Sequence, residues 1–271
     1  MPRAPTVESV HREWSGPVTT SFAIKRRGAT FVGEVHRLVT SSRKPGFRVL
    51  TYHAVGNPVD GDVNGIYDLK PTAFRAQVDQ VVATAQRFDI PIVPFTSSPT
   101  TGIAITFDDG YADLLGVVLP EMTRRNLPFH VFITADKLVS GDPRYLTTEQ
   151  LRELAGSDLV TVGAHGASHR PLTELAPDQC LSDLRASRER LAEVIGKPVD
   201  TMSYPFGLVN DSVRNRVGEA GFTRAACSTW GFNDHDTDPL LMRRIDMWAG
   251  DSNRTVANKV LGHWNWFGLL T

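Results

Sequence analysis

The sequence predicts a single parallel α/β domain, and two observations carry that expectation. From Phe47 onward, short apolar runs rich in β-branched and aromatic residues alternate with longer stretches of helical spacing, the pattern of parallel strands joined by crossover helices. The chain has 271 residues, 41% of them hydrophobic. That is enough to bury one large core, and α/β barrels of this length ordinarily form one domain.

Taken in order, residues 1–46 read as a basic arm, with 8 Lys and Arg against 3 Asp and Glu. Within it Phe31, Val35, Leu38 and Val39 share one face at helical spacing and predict an amphipathic helix over 29–40. Lys25, Arg26 and Arg27 fit either a solvated face or a contact for an anionic surface. Residues 47–250 hold the barrel pattern, with strands predicted at 47–52, 102–107, 129–134, 158–164, 200–204 and 223–227. Helices are predicted between them at 72–88, 111–126, 147–155, 177–195 and 211–220. Thr147 and Gln150 form a capping box ahead of Leu151 and Leu154. Leu181, Leu184, Leu191 and Val194 give the helix at 177–195 its core face. Residues 251–271, with His263, Trp264, Trp266 and Phe267, read as a C-terminal aromatic packing segment.

Composition excludes several function classes. A formal net charge of −1 supplies no basic field to hold nucleic acid by counterion release. Cys180 and Cys227 sit in no paired pattern, so neither a disulfide framework nor a cysteine metal site is indicated. No apolar run approaches membrane-spanning length, and residues 1–30 lack the continuous apolar stretch of a signal peptide. A soluble, cytoplasmic protein is expected.

The unusual polar residues follow strands. His53 comes after the 47–52 run, Asp108 and Asp109 after 102–107, His165 after 158–164, and Tyr204-Pro-Phe-Gly207 after 200–204. In a parallel barrel these ends open on one face. Two adjacent carboxylates at a buried strand end repel each other unless a cation neutralises them, although an Asp-Asp-Gly turn capping the next helix fits the same residues. His165 and His169 bracket Gly166-Ala-Ser168. Two imidazoles and one carboxylate, Asp109, make a three-ligand site for a divalent ion with an open position, and one ion explains both clusters. Such a site suits attack of water on a carbonyl, with Asp108 taking the proton and a backbone N–H meeting the oxyanion. A departing amine needs an acid. His53 is the candidate because imidazole titrates near neutral pH, although a hydrogen-bonded core histidine fits its position too. Trp230 and Trp248 each fit a sugar-stacking platform or a core tryptophan.

Thr106-Phe-Asp-Asp-Gly110, His165-Gly-Ala-Ser-His169 and Tyr204-Pro-Phe-Gly207, in this order, resemble the motifs of the polysaccharide deacetylase family (NodB homology, carbohydrate esterase family 4-like). Leu50-Thr-Tyr-His-Ala54, Tyr145-Leu-Thr-Thr-Glu-Gln-Leu151 and Leu241-Met-Arg-Arg-Ile245 are similar to the branch related to exopolysaccharide N-deacetylases. The resemblance covers roughly residues 47–248 and implies a distorted (β/α)7 barrel in a single domain. It implies a metal-dependent carbohydrate N-deacetylase that releases acetate from an N-acetylated amino sugar or glycan. Asp108 would be the general base, and Asp109, His165 and His169 would hold one divalent ion, zinc first, with cobalt, nickel or iron as alternatives. Phe206 stands where the family usually carries Tyr, whose backbone N–H serves the oxyanion hole, and Tyr204 and Pro205 would line the same substrate wall. The family's arginine near Ser203 is missing, so Arg244 is expected to supply that guanidinium. The late Leu-x-His motif is also missing, and resemblance to the branch with an early Tyr-His implies that His53 takes the acid role. The alternatives are a same-fold hydrolase of another C–N bond, allantoinase-like or acting on a cyclic imide, and an inactive glycan-binding relative.

Overall fold

The computed structural model describes residues 46–269 except 63, 98 and 99. The basic arm and its expected helix at 29–40 lie outside the described residues. The strands are β1 (Phe47–Tyr52), β2 (Ala54–Val55), β3 (Asp68–Leu69), β4 (Gly102–Phe107), β5 (Phe129–Ile133), β6 (Val160–Ala164), β7 (Thr201–Ser203), β8 (Arg224–Trp230) and β9 (Met242–Asp246). The helices are α1 (Pro71–Arg87), α2 (Leu119–Arg124), α3 (Thr148–Ala155), α4 (Pro177–Ile195), α5 (Asp211–Glu219) and α6 (Asn253–Val260). Seven strands close into one parallel barrel in the order β1-β4-β5-β6-β7-β8-β9, while β2 and β3 form a separate two-stranded ribbon beside its mouth. The fold is a (β/α)7 barrel.

Both faces of a barrel strand are covered, which is why β1 and β4 are buried at every position and read as mostly apolar runs, broken only by Arg48, Thr51 and Thr106. They pair over their full length, from Phe47↔Gly102 to Tyr52↔Phe107. Some joints are thin: β6 meets β7 only at Ala164↔Met202, and the β8–β9 ladder shifts register between Ala226 and Trp230. These interruptions distort the barrel. Helix ends follow the local chemistry. Thr147 and Gln150 form the expected capping box on α3, and α4 starts on Pro177 and stops at Gly196, whose φ of 68° favours glycine.

Three elements differ from the sequence expectation. The predicted helix at 111–126 opens as a wide turn over Leu114–Val118 and becomes α-helical only in α2. β9 was hidden because Met-Arg-Arg-Ile-Asp carries three charges in five residues; Arg243 is exposed, whereas Arg244 turns into the barrel at 3% exposure. The C-terminal stretch, where Trp264 and Phe267 pack as expected, also contains an unpredicted helix, α6, tied to the barrel by Arg48 Nε of β1, which donates to the Val260 carbonyl at 2.7 Å.

Gly163 shows how tightly the interior is filled. A Cβ there would lie 2.6 Å from Thr201 Oγ1 and 2.7 Å from both His130 Nε2 and Phe132 Cδ1. Gly163→Ala is expected to destabilise the protein by about 1–3 kcal/mol in urea unfolding; an unchanged midpoint would contradict this packing.

Candidate active site

Four strand ends deliver polar side chains to one mouth of the barrel: His53 after β1, Asp108 and Asp109 after β4, His165 after β6, and Tyr204 to Gly207 after β7. Asp109 Oδ1 lies 3.3 Å from His165 Nε2 and 3.1 Å from His169 Nε2. One donor atom from each of the three residues lies within 4.8 Å of the others. Two imidazoles and a carboxylate suit a borderline divalent cation. Tetrahedral bonds of roughly 2.0–2.1 Å give ligand-to-ligand edges of roughly 3.3–3.4 Å, close to the two distances from Asp109. The donor set fits a metal ion.

The surrounding groups fix how the imidazoles point. His165 Nδ1 faces the Ser203 hydroxyl at 2.5 Å and the Ser203 carbonyl at 3.0 Å. With a cation shared by Asp109, a proton on Nδ1 donated to Ser203 would leave the Nε2 lone pair for the ion; without one, Nε2–H donates to Asp109. The His165–His169 turn is gripped by Asp183 of α4, which accepts Ala167 N at 2.8 Å, Ser168 N at 3.1 Å and Ser168 Oγ at 2.6 Å. Ala135 N donates to the Gly166 carbonyl from the other side at 3.2 Å. Backbone strain collects here: Asp109, His169 and Phe206 hold φ of 73°, 56° and 58°, three of the five non-glycine residues with positive φ among those described.

Asp108 takes a different partner. It is 2% exposed and accepts Arg244 Nη1 at 2.8 Å and Ser203 Oγ at 3.3 Å. Arg244 is itself anchored by its Nε donating to the Cys227 carbonyl at 3.0 Å. Burial pushes the Asp108 carboxyl up, but the charges of Arg244, His165 and His53 outweigh it and hold the group below the usual carboxylate range. Burial acts on Asp109 in the same sense and is overcome by hydrogen bonds from His165 and His169, which hold it well below that range. For His165 burial pulls down, and Asp108 and Asp109 more than compensate, so its pKa is raised.

His53 sits beside this cluster with its ring 4.4 Å from that of Tyr67, and its Nδ1 is buried with no hydrogen-bond partner among the described residues. Phe206 packs 4.8 Å from the His169 ring and is 53% exposed at the mouth. The other residues expected on the substrate wall are core residues. Tyr204 is fully buried, with its hydroxyl donating to the Leu240 carbonyl at 2.8 Å, and Pro205 is buried beside it. Trp230, 4% exposed, packs in an aromatic cluster with Trp248, Trp264 and Phe267, and its Nε1 donates to Asp246 at 3.2 Å. The core alternative describes both Trp230 and Trp248. Sequence reasoning missed Asp183, Tyr67, Asp246 and the bridging of His165 and Asp108 by Ser203, because none of these stands in a motif.

The family model described as polysaccharide deacetylase matches residues 96–225, a span that includes Asp108, Asp109, His165, His169 and Phe206. The barrel has the fold of solved polysaccharide deacetylases. Among curated proteins, the "Putative polysaccharide deacetylase YxkH" of Bacillus subtilis (strain 168) is 24% identical over 150 residues. That alignment covers 55% of this chain and 53% of the relative, so the match spans about half of each. The barrel resembles Streptococcus pyogenes deacetylase PplD in complex with acetate, at a TM-score of 0.66 and 18% identity over 80% of this chain and 99% of that one. A de-N-acetylase from Aggregatibacter actinomycetemcomitans gives a TM-score of 0.65 and 16% identity, covering 79% of this chain and 99% of that one.

The Asp108–Arg244 pair makes stability depend on pH in a definite direction. A carboxyl with its folded-state pKa below the unfolded value of about 3.9 stabilises the fold above that pH and loses the effect as pH falls through the folded value. Arg244→Met leaves Asp108 buried without its cation and is expected to cost about 3–5 kcal/mol at pH 7. In the metal-free protein that gap should narrow below about pH 4. A gap that stays constant from pH 7 to acid, read by urea unfolding, would contradict the pairing.

Proposed function

We propose that this chain is a metal-dependent hydrolase that removes N-acetyl groups from an amino sugar or an amino-sugar-containing glycan and releases acetate. The observation that carries this reading is the division of labour between two adjacent carboxylates, one against two histidines and the other against a buried arginine. Asp109, His165 and His169 would hold one divalent ion, with zinc best suited to the donor set and cobalt, nickel or iron sharing it. When bound, such an ion polarises a carbonyl and acidifies water.

The chain's own residues supply the rest. Asp108, kept ionised by Arg244, accepts the proton of the attacking water. Ser203 passes a hydrogen bond from His165 to Asp108 and holds both in register. The backbone N–H of Phe206, fixed by a left-handed φ of 58°, is the donor proposed for the tetrahedral oxyanion. His53 gives a proton to the departing amine nitrogen. The ring of Phe206, exposed beside His169, offers an apolar face to the acceptor sugar. The names of the relatives, deacetylases and a de-N-acetylase, agree with hydrolysis of an N-acetyl group.

The test is acetate release from a panel of mono-, oligo- and lipid-linked N-acetylated amino sugars. Release that is lost on chelation and restored by zinc is expected. Absence of acetate from metal-loaded protein, or turnover of cyclic imides in its place, would overturn the reading. Asp109→Ala is expected to lose bound metal and activity together. Asp108→Asn should keep the metal while kcat falls by roughly 10²–10⁴, and full turnover in that variant would remove Asp108 as the base.

A further inference from the structure

Beyond the metal triad, the most unusual charged group in the fold is Lys259 on α6, which has no exposed surface. Its ammonium lies 4.0 Å from the ring centroid of Trp248 and 5.2 Å from those of Trp230 and Trp264. It donates to Asp251 Oδ2 at 2.5 Å and to the Asp246 carbonyl at 2.7 Å. Asp251 Oδ2 also accepts Trp248 N at 2.9 Å, so one carboxylate and one ammonium close the turn from Asp246 to Asp251. An aromatic cluster needs no cation to pack, and a buried ion pair is weak evidence for stability alone. The pair is better explained by what it holds.

What it holds is the end of β9. Asp246 is the register partner of Thr51 on β1, two residues before His53. Its carboxylate accepts Trp230 Nε1 at 3.2 Å, and its backbone carbonyl is the one gripped by Lys259. The segment is pinned further by Met247 N donating to the Thr51 carbonyl at 2.9 Å and by Ala249 N donating to the Ile66 carbonyl at 2.7 Å. Ile66 precedes Tyr67, whose ring lies against His53. Burial pushes the Asp246 carboxyl up, and of the charges that pull it back, His53 is the foremost, ahead of Arg244 and Lys259.

We infer that Lys259 is a positioning residue for His53: within the three-tryptophan cage its ammonium clamps the Asp246–Asp251 turn and so holds the Asp246 carboxylate at the end of β1 where His53 stands. This rests on the role proposed for His53. Lys259 touches no reacting atom in this scheme; it acts through Asp246.

Lys259→Met keeps an unbranched apolar stem among the rings and removes the charge, and Asp251→Asn keeps an acceptor oxygen for Trp248 N while weakening the clamp. Both are compared with the parent enzyme for kcat and KM in acetate release, for bound metal, and for the ring resonances of labelled histidines. The expected result is a kcat reduced roughly 10–100-fold, as for other groups that orient a functional side chain, with KM and metal content unchanged. The His53 resonances should shift while those of His165 and His169 stay in place, and Lys259→Arg should recover part of the lost kcat. Folded Lys259→Met or Asp251→Asn with parental kcat and an unmoved His53 signal overturns the inference, as does a change confined to KM. Failure of both variants to fold assigns the clamp to stability alone and overturns it equally. Should the parent release no acetate, the functional reading fails, while the His53 resonances still decide the positioning role.

Discussion

Two neighbouring carboxylates at a buried strand end cannot both stay ionised unless each finds its own positive partner, and the site is organised around that constraint. Asp108 and Asp109 are separated by one peptide bond yet face different company, which is possible because the chain turns left-handed at Asp109 and again at Gly110. Asp108 stays with Arg244 and Ser203 inside the barrel. Asp109 turns to His165 and His169. Each partner comes from a different strand end or from a late strand, so the pair forms only when the barrel closes.

The polar mouth has two differently supported sides. On the ligand side the His165–His169 turn is stapled to α4 by Asp183 and to β7 by Ser203, both through short hydrogen bonds. On the other side His53 packs against Tyr67 near the Asp246 carboxyl, with α6 and its lysine behind them. A site that must hold ligands in fixed geometry uses hydrogen-bonded staples.

Much of this was legible in the sequence, and the residues that were not share a physical reason. β1 and β4 are buried on both faces, so their apolar runs announce them, and the polar residues that follow stand out against that background. β9 stayed hidden because its inward residue is an arginine, whose burial makes sense only once Asp108 lies opposite it. Arg244 stands out only through the family resemblance, as the substitute for a missing guanidinium. Asp183 and Asp246 interact with residues far away in the chain, which no local pattern encodes. Trp230 and Tyr204 were placed at the substrate because an aromatic after a strand fits a platform and a core filler alike. Only the surrounding rings of Trp248, Trp264 and Phe267, and the Leu240 carbonyl, distinguish the two.

The central claim is that one cation belongs between Asp109, His165 and His169, and anomalous diffraction tests it directly. Crystals grown with zinc and measured across its absorption edge should show a single strong peak within roughly 2.0–2.2 Å of one Asp109 oxygen and both Nε2 atoms. No peak at that position, or a peak that engages the aspartate and leaves either imidazole beyond bonding distance, would contradict it.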